Sequence, residues 1–141
     1  GGYYFRTQKY KLAVKHFKQA IQAYPNFIQA HSNLGAVLNK LNRSEEAIPH
    51  LKKAIRLDPE FGVTYFNLGN AYLNQGNLDE AQKAYDLAVN YGVNFLSMHW
   101  KLYDIYIRQE KRLEAKQELE TILQIDPENM EAKKKMLGFL Q

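Results

Sequence analysis

Residues 65–88 read YFNLGNAYLNQGNLDEAQKAYDLA, and parts of this stretch return along the chain with a constant period. Gly69 lies 34 positions after Gly35, and the same interval separates Ala81 from both Ala47 and Ala115. A constant period in this range indicates a stacked-repeat protein, in which each unit buries its apolar face only against its neighbours. Such stacks usually present an extended surface for binding and not a pocket for chemistry.

Apolar residues within one repeat have the spacing of helices. Leu34, Leu38 and Leu41 recur at steps of three and four, and a second apolar series follows after a break at residues 42–44. Ser44 is predicted to be the N-cap of the second helix. Asp58-Pro59 is predicted to end that helix, because the residue before a proline avoids the helical conformation. Each repeat is therefore predicted to be a hairpin of two helices.

Three stretches resemble the tetratricopeptide repeat: HSNLGAVL at 31–38, AIPHLKKAIRLDP at 47–59, and YFNLGNAYLNQGNLDEAQKAYDLA at 65–88. The motif of that family places Leu-Gly and then a Tyr-like residue in the first helix. It places two alanines around an aromatic residue in the second helix, followed by a closing proline. The resemblance covers essentially the whole chain. It implies an all-α fold, a right-handed superhelix of antiparallel helix hairpins known as an α-solenoid.

The repeat phase predicts one domain over residues 1–141 and sets its internal boundaries. Residues 1–27 are expected to form a partial repeat, because Gly1 occupies the place of Gly35 and Gly69 and leaves the first helix short. Full repeats are expected at 28–61, 62–95 and 96–129, and a capping or next-repeat helix is expected at 130–141. A chain that starts inside a helix is expected to be a fragment of a larger protein, or to begin with an added Gly1-Gly2 pair.

Composition places the chain among soluble globular proteins, with 45% apolar and 24% charged residues. No apolar run approaches the roughly 18 residues that cross a membrane, so no membrane contact is expected. The N-terminus lacks the basic-then-apolar pattern of a secretion signal.

The chain has no cysteine, which excludes disulfides, thiol catalysis and cysteine-bound zinc. The sequence leaves the compartment open and favours the cytoplasm.

No set of residues predicts an enzyme. His16 and His50 are separated by one repeat period, and His31 and His99 by two. Each pair therefore occupies equivalent places in different hairpins and lacks the spacing of metal ligands on one helix face. The serines have no neighbouring base, and residues 69–76 form part of a helix and a turn instead of a phosphate-binding loop. We expect no catalytic residue, no metal and no cofactor.

The resemblance implies that the first helices of the repeats line a concave groove, and the repeat phase projects the inward positions onto this chain. Four large apolar side chains in that set, Phe66, Leu73, Trp100 and Ile107, have the composition of a binding hot spot. The alternative is that Phe66 and Trp100 pack between neighbouring first helices. The residues expected to bind a peptide are Asn33, Lys40, Phe66, Asn67, Asn70, Leu73, Asn74, Trp100, Lys101, Asp104, Ile107 and Arg108.

Asparagines recur at one place in this set. Asn33 and Asn67 are separated by one repeat period, and each side-chain amide offers a donor and an acceptor to the backbone of an extended peptide. The arrangement resembles the asparagine ladder of O-linked N-acetylglucosamine transferases. This likeness keeps open a second function, in which the chain is the substrate-recognition arm of a larger enzyme such as a glycosyltransferase.

Basic residues recur at a further place, shared by Arg6, Lys40 and Arg108. They make the groove positive and favour an acidic or carboxylate-bearing peptide, unless they are ordinary solvated charges. Over the whole chain the formal charge is +4, and we interpret the 15 acidic residues as mixed among the 19 basic ones. That mixture is typical of solvated helix faces and not of a nucleic-acid binder. RNA binding is an alternative that a steep salt dependence of affinity would support.

Together these features predict a non-catalytic protein-interaction scaffold. Its partner is expected to be a protein that offers an extended or helical segment, acidic in character, to the groove. The incomplete first repeat also predicts end-to-end self-association of the chain.

Overall fold

The computed structural model describes residues 2–140, which form eight helices and no β-strand. Gly1, at the start of the predicted partial repeat, lies outside the described residues. Three helices begin at equivalent places of successive repeats, at Ile28, Gly62 and Leu96, as the sequence period predicts. The all-α class is confirmed. The helices are α1 (Gly2–Ala23), α2 (Ile28–Lys40), α3 (Ser44–Leu57), α4 (Gly62–Asn74), α5 (Leu78–Asn90), α6 (Leu96–Arg108), α7 (Arg112–Ile125) and α8 (Met130–Phe139).

The chain divides into two compact units, Gly1–Val93 and Asn94–Gln141. Unit 1 contains α1 to α5, and unit 2 contains α6 to α8. In unit 1 each helix packs against the next one in the chain, and α2 also packs against α4. In unit 2, α6 packs against α7 and α7 packs against α8.

The core of unit 1 contains apolar side chains from each of its repeats. Val14 of α1, Leu34 and Leu38 of α2, and Leu51 of α3 are buried together. Leu68 and Ala71 of α4 extend the same cluster. Burial of a leucine side chain contributes on the order of 1.5–3 kcal/mol, so this cluster joins the first three repeats of the sequence into one folded body.

Glycine is required where the two helices of a hairpin meet. A Cβ atom at Gly35 would collide with the side chain of Leu51, and one at Gly69 would lie 2.5 Å from Cε1 of Tyr85. Leu51 and Tyr85 are both fully buried. The Leu-Gly pair of the repeat therefore lets a large side chain of the second helix press directly on the backbone of the first.

The predicted N-cap at Ser44 is wrong. Arg43 is the N-cap of α3 and makes no side-chain cap hydrogen bond, whereas Ser44 is the first helical residue. The Ser44 hydroxyl is buried and donates to Oδ1 of Asn39 at 3.1 Å. A capping serine accepts a hydrogen bond from the backbone of its own helix, whereas the Ser44 oxygen accepts from Nδ2 of Asn74 at 3.2 Å.

The N-terminal helix is also longer than the repeat phase predicts. Residues 7–9 correspond to the turn at 41–43, yet α1 continues without a break from Gly2 to Ala23. The turns inside the other hairpins contain a residue with positive φ: Asn42 (57°), Gly76 (77°) or Glu110 (58°). Gln8 occupies the place of Asn42 and Gly76, and glutamine favours the helix over the left-handed conformation that those turns require.

No helix within residues 2–140 combines the length and the apolar character needed to cross a membrane.

Candidate functional site

The predicted groove residues of unit 1 lie on α2 and α4. On α2, Asn33 and Lys40 are exposed. On α4, Phe66, Asn70 and Leu73 are half-buried. Since α2 packs against α4, these predicted groove residues lie on neighbouring helices.

Asn67 differs from Asn33, although the two occupy the same place in the repeat. The Asn67 side chain is buried, and its Nδ2 donates to the backbone oxygen of Ser32 at 3.3 Å and to the Ser32 hydroxyl at 3.1 Å. The backbone oxygen of Asn67 accepts from Nδ2 of Asn39 at 2.9 Å. The structure therefore does not present Asn67 on the surface beside Asn33, because the Asn67 amide bonds to Ser32 of α2.

A buried polar network extends from this contact to the hairpin turn. Nδ2 of Asn74 donates to the backbone oxygen of Asn39 at 3.3 Å and to the Ser44 hydroxyl at 3.2 Å. Thr64 donates its hydroxyl to Ser32 at 3.2 Å, beside Asn67. These bonds join α2 and α3 to α4, so the Nδ2 group of the exposed groove residue Asn74 bonds within the protein.

Sequence reasoning missed this network, although a signal for it was present. Ser32, Asn39 and Ser44 are polar, whereas the residues one repeat period later are Phe66, Leu73 and Leu78. Three polar side chains at places that are apolar in the next repeat indicate a junction held by hydrogen bonds, since buried polar groups almost always find partners.

The aromatic residue of the predicted hot spot in unit 1 packs partly within its own hairpin. The ring centroids of Phe66 and Tyr85 lie 6.2 Å apart. The Tyr85 hydroxyl donates to Oδ1 of Asn70 at 2.6 Å, and burial raises the pKa of Tyr85 far above its ordinary value. Phe66 and Asn70 are thus fixed in place by the second helix of the hairpin.

The predicted groove residues of unit 2 all lie on α6. The ring of Trp100 contacts the ring of Tyr103 edge-on, with centroids 5.7 Å apart. Trp100 and Lys101 are half-buried. The remaining three, Asp104, Ile107 and Arg108, are exposed.

His31, Tyr65 and His99 occupy the same repeat position, and each makes a hydrogen bond to the loop before its own helix. Nε2 of His31 lies 2.8 Å from the backbone oxygen of Pro25, and the Tyr65 hydroxyl donates to the backbone oxygen of Pro59 at 2.7 Å. His99 contacts Oε2 of Glu118 at 2.8 Å and Oδ1 of Asn94 at 2.9 Å. These bonds hold the loop before each first helix. Over residues 2–140, no group of three or more histidine or acidic side chains comes together as metal ligands would.

The repeat geometry agrees with comparisons to known proteins. A family model described as "Tetratricopeptide repeat" matches residues 42–103, and a second, described as "TPR repeat", matches residues 1–42. The chain belongs to the tetratricopeptide repeat (TPR) family. A search of curated proteins gave no match.

Solved structures share this fold at low sequence identity. "MamA 41-end from Desulfovibrio magneticus RS-1" is 24% identical, has a TM-score of 0.76, and aligns with 87% of this chain and 70% of its own. YrrB, described as "a TPR protein with an unusual peptide-binding site", is 22% identical with a TM-score of 0.77 over 85% of this chain and 62% of its own.

A third structure is "First TPR of Spaghetti (RPAP3) bound to HSP90 peptide SRMEEVD". It is 23% identical with a TM-score of 0.67, over 79% of this chain and 90% of its own. At these identities the likeness concerns the fold, and it confirms the predicted α-solenoid of helix hairpins.

Proposed function

We propose that this TPR chain is a protein-interaction module that binds an extended peptide segment of a partner along the exposed sides of α2 and α4. The observation that carries the proposal is the hydrogen-bonded junction of these helices. Asn67 bonds to Ser32, and Asn39 bonds to Asn67. A surface fixed in this way loses little conformational entropy when a peptide binds, which favours affinity.

The chemistry of this surface suits an extended peptide. The exposed Asn33 amide can donate to a peptide carbonyl and accept from a peptide N–H. The exposed Lys40 ammonium adds a cation that favours acidic side chains. Half-buried Leu73 offers apolar contact beside these polar groups. In unit 2 the exposed side of α6, with Ile107 and Arg108, is proposed as a further contact surface.

Two structures of the same fold support a peptide as the class of ligand. YrrB is described as having a peptide-binding site, and the RPAP3 domain is described as bound to a peptide. Both statements concern those proteins, and the residues that would bind here are this chain's own.

The test uses a displayed library of random dodecapeptides selected on the full chain. Amide chemical shifts of the labelled protein then locate the selected peptides. We expect the largest shifts on α2 and α4, and we expect Asn33→Ala to weaken binding by at least about 1 kcal/mol, as at a contact that contributes to affinity.

The matched control is Lys52→Ala, which removes an exposed side chain from α3 and should leave binding unchanged. Asn67→Ala is unsuitable as a binding test, because it removes bonds within the protein. Failure to select any peptide, or shifts confined to α3 and α5, would show that the proposed surface is wrong.

We also propose that copies of the chain associate through α1. Tyr3, Tyr4 and Phe5 are 81%, 67% and 71% exposed. These three aromatic side chains are spread around the first turn of α1 and expose apolar surface of the kind that marks interaction sites.

A further inference from the structure

The charges of the chain are segregated, which corrects the interpretation that acidic and basic residues are mixed. Residues 1–44 contain seven of the 19 Lys and Arg residues and none of the 15 acidic residues, of which Glu45 is the first. This segment therefore has a formal charge of +7, and the rest of the chain has a formal charge of −3. The excess falls on α1, α2 and the turn that follows α2.

Part of this charge converges on one cleft in unit 1. The cleft lies between the N-terminal half of α1 and the turn from α2 to α3, and its volume is about 410 Å³. Four of the lining residues are basic and none is acidic. The lining residues are Tyr3, Arg6, Thr7, Tyr10, Lys11, Lys40, Leu41, Asn42 and Arg43.

One of the four cations is already neutralised. Arg43 binds Glu46 through two nitrogens, at 3.0 and 2.8 Å, and this pairing lowers the pKa of Glu46 below its ordinary value. For Arg6, Lys11 and Lys40 no ion pair occurs within residues 2–140. Like charges that share a cleft without counter-charges repel one another, and an anionic ligand would relieve that repulsion.

We propose that this cleft binds an acidic peptide segment, with Arg6, Lys11 and Lys40 pairing with its carboxylates and Tyr3 and Tyr10 forming its walls. The inference rests on the proposed function in taking a peptide as the ligand. Its site overlaps the surface of α2 and α4 only at Lys40, because Arg6 and Lys11 belong to α1.

The shape of the cleft favours a few side chains over a long polyanion. Its volume lies in the range of pockets that enclose compact ligands, roughly 300–1,000 Å³. A nucleic-acid strand is usually held by a positively charged groove that follows the backbone, with aromatic platforms for successive bases. Lys15 and Lys18 do continue the positive charge along α1, so RNA is the competing occupant that the test must separate.

The test measures fluorescence anisotropy of a labelled dodecapeptide of alternating glutamate and serine, added to the full chain in low salt. The cleft variant is Arg6→Gln with Lys11→Gln, and the control is Lys52→Gln with Arg56→Gln. All four residues are exposed, and both variants lose two positive charges. We expect the cleft variant to weaken binding about fivefold or more and the control to change it less than about twofold.

Two further probes complete the experiment: the same peptide with glutamine for glutamate, and a single-stranded RNA of matched charge. The glutamine peptide should not bind measurably. Equal weakening by both variants, or no binding of the glutamate peptide in low salt, would overturn the cleft assignment. If the RNA binds more tightly than the glutamate peptide, and if the cleft variant no longer binds the RNA, the proposal that a peptide occupies the cleft is overturned. Because both variants leave Asn33, the shared Lys40 and α4 unchanged, a failure of the cleft proposal can be distinguished from a failure of the groove proposal.

Discussion

At Gly69 a missing side chain decides how closely two helices pack. An added Cβ would lie 2.5 Å from Cε1 and 2.6 Å from Cδ1 of Tyr85. The ring cannot move away easily, because it is fully buried and its hydroxyl is bonded to Asn70. The glycine therefore sets the distance between α4 and α5.

We expect Gly69→Ala to destabilise the protein by about 1–2 kcal/mol. Overpacking of a filled core costs typically about 1–3 kcal/mol, and the better helix propensity of alanine returns up to about 1 kcal/mol. Urea unfolding followed by circular dichroism measures the change. The control is Gly138→Ala in α8, where nothing lies within 4 Å of an added Cβ. That variant should be as stable as the wild type or slightly more so, and an equally stable Gly69→Ala would refute the packing argument.

The two asparagines at the shared repeat position show what a sequence leaves undetermined at this scale. The sequence places Asn33 and Asn67 at equivalent positions, and both are on first helices as predicted. Whether such an amide is exposed depends on the helix before it. The Asn67 amide is buried against Ser32 of α2, whereas Asn33 is exposed on α2. A local motif does not contain that information.

At the scale of elements, a pair of histidines connects α2 with α3. Nδ1 of His31 lies 3.4 Å from Nδ1 of His50, and the opposite nitrogen of His31 bonds to Pro25 in the loop after α1. The pKa of His50 is lowered, first by burial and then by the positive charges of His31 and Lys18, while Glu46 acts in the opposite direction.

This pair predicts a loss of stability in mild acid. When the folded-state pKa of a histidine is lowered, the unfolded chain binds more protons below about pH 6.5, so the free energy of unfolding falls as the pH decreases through that range. We expect His50→Gln to reduce the difference between urea midpoints at about pH 7.5 and about pH 5.5. His16→Gln is the matched control, because His16 occupies the equivalent place one repeat earlier and is exposed on α1. A wild-type pH dependence in His50→Gln would contradict the prediction.

The helix boundaries were predictable in the repeats whose two helices form a complete hairpin. The repeat period predicted the starts of α2, α4 and α6. It did not predict α1, which is one continuous helix from Gly2 to Ala23 and not a short first helix followed by a second one. The repeat period alone does not determine whether a segment turns or stays helical, because that also depends on local conformational preference and on packing.

At the scale of the whole molecule, the proposed self-association gives a measurable outcome. We expect sedimentation velocity to show a higher mass as the concentration rises from about 10 µM to about 200 µM, because contact between α1 helices buries apolar surface. Replacing Tyr4 and Phe5 by serine should abolish this dependence. Leu113→Ser on α7, where the leucine is 63% exposed, should preserve it. A wild-type protein that stays monomeric throughout would exclude association through α1.

The segregated charge has a consequence for how an encounter begins. A uniformly charged protein has no preferred orientation when it meets an oppositely charged partner. Within unit 1, residues 1–44 have a formal charge of +7 and are attracted to an anion, while residues 45–93 have a formal charge of −3 and are repelled by it. The resulting torque turns the molecule within roughly a Debye length, about 8 Å at physiological salt. An anionic partner therefore meets unit 1 with α1 facing it more often than with the other helices of that unit facing it.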